Sequence, residues 1–195
     1  YYRRPTSRMG VVWEARKAFY EAKEAMQRTI GAAPPAANPG REVLMRALQG
    51  KLTVFTTARS EQDIRTALRL AHEFGYQTVI DEAQDAHFVI DELAQAKVTV
   101  LLGAPSATSV AGTAGSDGSD PRYATIGLLA RRGVPFVITT GSNLASLDLV
   151  REAMFAVRAG LSPAQALDAV TILPARLLGL DARIGSLAAG KDADF

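Results

Sequence analysis

The chain has no cysteine, two histidines and one tryptophan among its 195 residues. Without cysteine it forms no disulfide and no thiolate metal site, and the redox compartment stays open. His72 and His87 are the only imidazoles available to a metal. No apolar run approaches the roughly 18 residues of a membrane-spanning helix, so no membrane partner is expected. Tyr1-Tyr2-Arg3-Arg4-Pro5 is not followed by an apolar core, which excludes a secretory signal there. The compartment is therefore unassigned. The first residue is not methionine, which reads as a fragment or a processed chain.

A large excess of charge of either sign is missing too. The net charge of +2 is too small to imply nucleic acid, and Arg3, Arg4 and Arg8 read as a solvated face. Familiar catalytic words are missing. There is no G-x-S-x-G elbow and no cysteine nucleophile. The stretch GAPSATSVAGTAGSDGSD is rich in glycine but has no lysine and no G-K-[ST], so it is not a phosphate loop. It reads as a Gly/Ser/Ala insertion, with a mobile lid as the other reading.

What is present is an ordinary globular composition, 48% apolar and 22% charged, in a chain long enough for one sizeable core. Residues 9 to 29 have the spacing of a long helix: Ser7 caps it, and Val12, Ala15, Phe19, Ala22 and Met26 form its apolar stripe. Trp13 and Tyr20 are expected in a core or an interface. AAPPAANPG, residues 32–40, is a stiff connector. A helix over 41–49 follows, with Val43, Leu44, Ala47 and Leu48 inward.

From Leu52 a rhythm begins. LTVFTT is a strand, and the segment after Ser60 is a helix stopped by Gly75. YQTVI is the second strand, and Asp85 opens a helix through Ala96 that carries Phe88, Ile90, Leu93 and Ala94. KVTVLLG, a helix over 122–132 and VPFVITT complete the series. Strand and helix alternate, and the strands are nearly continuous apolar runs. That combination means βα units around a parallel sheet.

Residues 144–195 carry the densest punctuation. Leu149, Ala153, Ala156 and Val157 recur at helical spacing, and Gly160 ends that helix. Ser162 caps the next, with Pro163 at its first position. Thr171, Pro174 and Gly179 repeat the pattern around a third. Gly185, Ser186 and Gly190 mark turns before Lys191-Asp192-Ala193-Asp194-Phe195, which stops in mid-phrase and points to truncation.

The run GLSPAQALDAVTILPARLLGLDARIGSLAAGKDADF resembles the C-terminal signature of the amidohydrolase superfamily, in its imidazolonepropionase-like and dihydroorotase-like branches. The resemblance implies an α/β fold: the C-terminal half, four βα units, of a TIM-type (β/α)8 barrel over residues 1–190, with 191–195 starting a truncated β-sandwich segment. The four strands correspond to strands five to eight. Four parallel strands cannot close such a barrel, so the partner expected is a missing N-terminal barrel half or a second chain, a homo-oligomer included.

The family activity so implied is metal-dependent hydrolysis of C–N bonds in amides or cyclic amides. Its cofactor is a divalent metal such as zinc, held by histidines after strands five and six and an aspartate after strand eight. Those positions here read Thr56 or Thr57, Asp81 with Glu82, and Thr140 with Gly141. This chain therefore looks like a catalytically degenerate pseudoenzyme, with no catalytic residue, no metal ligand and no cofactor of its own. The alternative class is a non-catalytic scaffold, a subunit partner or a small-ligand-binding barrel. Barrel chemistry sits at the C-terminal ends of strands. A small-molecule ligand would accordingly meet Thr57, Arg59, Asp81, Glu82, His87, Thr140 and Ser142. His72 reads as a surface residue. His87 reads as a polar residue at a helix start, or as part of a makeshift site with nearby carboxylates, although i,i+2 residues do not face each other on a helix.

Overall fold

The computed structural model describes residue 5 and residues 7–27, 38–103, 124–140 and 149–192. Residues 32–37 of the connector, most of the glycine-rich stretch and residues 193–195 lie outside them. The chain divides into two compact units. One draws on residues 1–55 and 66–78, the other on 56–65 and 79–195.

In the first unit, α1 (Arg8–Gln27) and α2 (Pro39–Leu48) pack on each other. Ser7 caps α1 as expected, its Oγ accepting from Gly10 N at 3.2 Å. α2 begins two residues earlier than its apolar pattern suggests. Asn38 Oδ1 accepts from Arg41 N at 3.1 Å, and Pro39 occupies the first turn, where a missing N–H costs nothing. The core is Phe19, Leu70, Ala71 and Tyr76, with Val12, Ala15, Leu44, Leu48, Val54 and Phe74 against it. Phe19 stacks on both Phe74 (5.1 Å) and Tyr76 (4.7 Å). Glu73 ties α1 down at the edge, accepting from Arg16 Nε at 2.9 Å and from Tyr20 Oη at 3.2 Å.

Two expectations fail in this unit. Val43 is 52% exposed, because the inward stripe of α2 runs through Leu44, Ala47 and Leu48 instead. Met26, expected on the apolar stripe of α1, is exposed as well. Trp13 and Tyr20, expected in a core or an interface, lie outside this core: Trp13 carries Lys17 over its ring, and Tyr20 spends its hydroxyl on Glu73.

The strands β1 (Val54–Thr57), β2 (Thr78–Asp81), β3 (Thr99–Gly103) and β4 (Phe136–Thr139) form one sheet in that order. β2–β3 and β3–β4 are parallel, with Ile80 opposite Val100 and Leu101 opposite Val137. Helices follow the strands in turn: α3 (Glu61–Phe74), α4 (Ile90–Ala96), α5 (Ala124–Arg131) and α6 (Leu149–Arg158). This is a mixed α/β architecture, and it matches four consecutive units of a TIM-type barrel. β1 and β4 are the two outer strands of the sheet.

The second unit buries Val79, Ile80, Val89, Leu93, Val100, Ile126, Leu129 and Ile138. α6, α7 (Pro163–Val170) and α8 (Ile172–Leu177) pack in sequence, and all three touch β4. Ser162 and Gln165 form the full capping box at the start of α7. Gly127 of α5 lies so close to the end of α6 that a Cβ there would stand 2.2 Å from Ala159 O.

The single helix expected from Asp85 to Ala96 is broken. Ala86–Phe88 is a 3₁₀ turn, and α4 begins only at Ile90. Phe88 is left 52% exposed. The Asp85 side chain makes no cap hydrogen bond to the 3₁₀ turn and is engaged in the site described next. No helix among the described residues is long and apolar enough to cross a membrane.

Candidate functional site at the strand ends

The C-terminal ends of β1 and β2 lie together. Ala58 N, just past β1, donates to Asp81 O at the end of β2 (3.0 Å). α3 starts from this corner. Ser60 Oγ accepts from Asp63 N at 3.2 Å and donates to Asp63 Oδ2 at 2.7 Å. Glu61 N, one of the helix-start donors without an intrahelical partner, is taken by Asp85 Oδ2 at 3.1 Å. The same residue's backbone N donates to Arg59 O at 3.0 Å. Asp85 is thus a buried aspartate that pins the start of α3 from the neighbouring loop.

Arg59 projects from this pinned backbone and ion-pairs through Nη2 with Glu82 Oε2. The side chains are 43% and 16% exposed, respectively. The same Oε2 has no well-aligned hydrogen-bond donor. Glu82 reaches it from a left-handed backbone, φ 56°, which a residue with a Cβ adopts at a cost of about 1–2 kcal/mol. Asp81 Oδ1 accepts from Glu82 N at 2.9 Å. Burial is the main force on the Asp81 carboxyl and pushes it above the usual aspartate range. The Glu82 charge adds to that shift, while the hydrogen bond from Glu82 N and the charge of Arg59 oppose it.

Of the residues singled out in the sequence, Arg59, Asp81 and Glu82 meet here. Thr57 is exposed at the end of the outer strand β1, and Thr140 is half-buried just past β4. Ser142 lies outside the described residues. His87 sits in the 3₁₀ turn with its ring 4.0 Å from Phe88, and both ring nitrogens are buried without a hydrogen-bond partner. Gln84 Oε1 in the same loop and Thr125 Oγ1 on α5 are likewise buried and unpartnered. His72 is exposed on α3. Asp85 is the residue that sequence reasoning placed wrongly. Its local signal reads as a helix start, and nothing local reveals that it serves another helix.

The divalent metal implied by the resemblance is not matched by these donors. Among the described residues no group of three or more His, Asp or Glu is placed to hold one. The carboxylate of Glu82 is neutralised by a guanidinium, that of Asp85 is engaged by Glu61 N, and Arg59 adds a fixed positive charge where a cation would be repelled. No step through a metal is derived from this arrangement.

The profile of the amidohydrolase family matches residues 15–195. No curated protein sequence matches the chain. Among solved structures, an amidohydrolase from Thermotoga maritima MSB8 is similar at 30% identity and TM-score 0.86, over 97% of this chain and 50% of its own. An uncharacterized metal-dependent hydrolase from Pyrococcus furiosus is similar at 19% identity and TM-score 0.57, over 78% of this chain and 34% of its own. An adenosine deaminase from Xanthomonas campestris, with bound zinc, is similar at 23% identity and TM-score 0.53, over 90% of this chain and 46% of its own. The chain thus spans half or less of these structures.

Proposed function

The chain belongs to the amidohydrolase family, and we propose that it is the C-terminal half of a barrel that no longer performs metal-dependent hydrolysis and keeps its strand ends as a small-ligand pocket. The observation that carries this reading is the Arg59–Glu82 pair, which places a protein cation and its counter-ion at the ends of β1 and β2. Thr57 at the end of β1 and Thr140 just past β4 offer hydroxyls rather than imidazole or carboxylate. The barrel half would reach to about residue 190, with the sandwich segment beginning after it. The outer strands β1 and β4 would pair with an N-terminal barrel half or with a second chain, because a closed barrel leaves no edge.

A second reading is favoured by the family match itself: the full-length protein is an active hydrolase of C–N bonds whose metal is held by residues outside this set. Metal analysis and a hydrolysis assay on full-length protein decide between them. The degenerate reading expects substoichiometric zinc, manganese or iron, as for a site without three protein ligands, and no turnover of cyclic amides. Stoichiometric metal together with turnover abolished by a chelator would overturn it.

A further inference from the structure

Four links stitch the loop after β1 to the loop after β2. Ala58 N donates to Asp81 O, Asp85 N to Arg59 O, and Glu61 N to Asp85 Oδ2, at 3.0, 3.0 and 3.1 Å. The Arg59–Glu82 ion pair is the fourth. The backbone of Arg59 is therefore anchored through its own carbonyl and through the start of the helix that follows it. Its side chain is nevertheless the reachable member of the pair, 43% exposed against 16% for Glu82.

The two partners are unequal in a second way. Strong arginine–carboxylate pairs are bidentate, with two parallel N–H bonds. Here Glu82 Oε2 has no aligned donor, and the residue holds its position from a left-handed backbone. Strain of this kind gathers at ligand clamps and switches. A guanidinium carried on an anchored backbone therefore faces a carboxylate that has no aligned donor and sits on a left-handed backbone. The occupant of the guanidinium is itself a carboxylate, which identifies the chemistry that can replace it.

We propose that Arg59 anchors an anion subsite at the ends of β1 and β2, that Glu82 is its resident and displaceable counter-ion, and that the ligand is a small carboxylate. The inference deepens the ligand-pocket reading above and rests on it. The guanidinium supplies a planar fork of donors suited to a carboxylate.

The test is calorimetric titration of malonate into full-length protein, before and after chelator treatment. Glu82→Gln is expected to tighten malonate binding about tenfold, the factor recovered when a competent state populated about one time in ten becomes dominant. Arg59→Gln is expected to abolish binding. Arg65→Gln, at an exposed arginine paired with Glu61 and Glu92, is expected to leave it unchanged. If Arg59→Gln proves unfolded by circular dichroism, Arg59→Lys replaces it, with affinity expected to fall several-fold as the fork is lost. Parent-like binding in the Arg59 variant, or a Glu82→Gln affinity equal to or below the parent's, overturns the proposal. Absence of binding in both parent and Glu82→Gln also overturns it, while leaving the degenerate reading intact. Binding removed by the chelator yet indifferent to Arg59 overturns both, because the anion would then sit on a metal.

Discussion

Asp85 Oδ2 accepts a hydrogen bond from Glu61 N at 3.1 Å, across 24 positions of sequence. A carboxylate on the loop after β2 thereby serves as a cap for the helix after β1. Losing a helix-capping side chain costs about 0.5–2 kcal/mol. Asp85→Ala should lie toward the upper end of that range, since the aspartate is buried and its removal strands a donor. Asp85→Asn keeps an oxygen acceptor and should cost less. Urea unfolding followed by circular dichroism measures both, and equal midpoints for Asp85→Ala and the parent would refute the assignment.

Asp81 carries a pH signature of definite sign. Its carboxyl lies above the ordinary value because burial disfavours the charged form. The folded state then binds the proton more tightly than the unfolded chain does. Its contribution to stability is full below the unfolded value and is lost as pH rises through the folded one. Once ionised, the carboxylate is a liability to the folded state. Asp81→Asn retains the oxygen that accepts from Glu82 N, so it should raise Tm at pH 7 and change little at pH 3. A gain larger at pH 3 than at pH 7 would reverse the sign and exclude burial as the cause.

The stacked aromatic core predicts an alkaline transition. Burial, with the charge of Glu73 behind it, pushes the Tyr76 hydroxyl from 10.0 to about 12. The stabilising difference is fully present below about pH 10 and disappears as pH climbs toward 12, because the unfolded chain ionises first. Ultraviolet titration should show one tyrosine ionising late, and Tyr76→Phe should remove that late step while the others remain. Its persistence in the variant would show that Tyr76 is not the late group.

Two glycines with nearly the same φ separate crowding from conformation. Gly185 (φ 87°) has no room: a Cβ would meet Ala175 Cβ at 2.7 Å and Ile172 Cα and Thr171 O at 3.0 Å. Gly190 (φ 86°) has nothing within 4 Å. Gly190→Ala should cost only the left-handed penalty, about 1–2 kcal/mol. Gly185→Ala should add about 1–3 kcal/mol of overpacking to that. Equal thermal destabilisation in the two variants would mean that the turn after α8 is not packed on α8 as described.

Much of this was legible in the chain because the signals were local. The Ser7, Ser60 and Ser162 caps act over three positions, and the strands announce themselves as β-branched runs. The glycines that end helices do so through their own φ. The failures share an origin. Val43 and Leu44 are both apolar, and only the placement of α1 decides which one turns inward. Asp85 has the local grammar of a helix start, yet the donor it satisfies belongs to another helix. Arg59 and Glu82 are both recognisable as strand-end residues, but their pairing is invisible along the chain.

The amino-acid order alone determined the alternation of strand and helix, the parallel sheet that follows from it, and the family to which the C-terminal run belongs. Periodicity and capping act within a few residues and survive in any context. The tertiary structure decided which charges meet. β1 and β2 bring Arg59 and Glu82 into contact only because the two strands lie side by side, and the Coulomb energy between them depends on that separation in space rather than on separation in sequence.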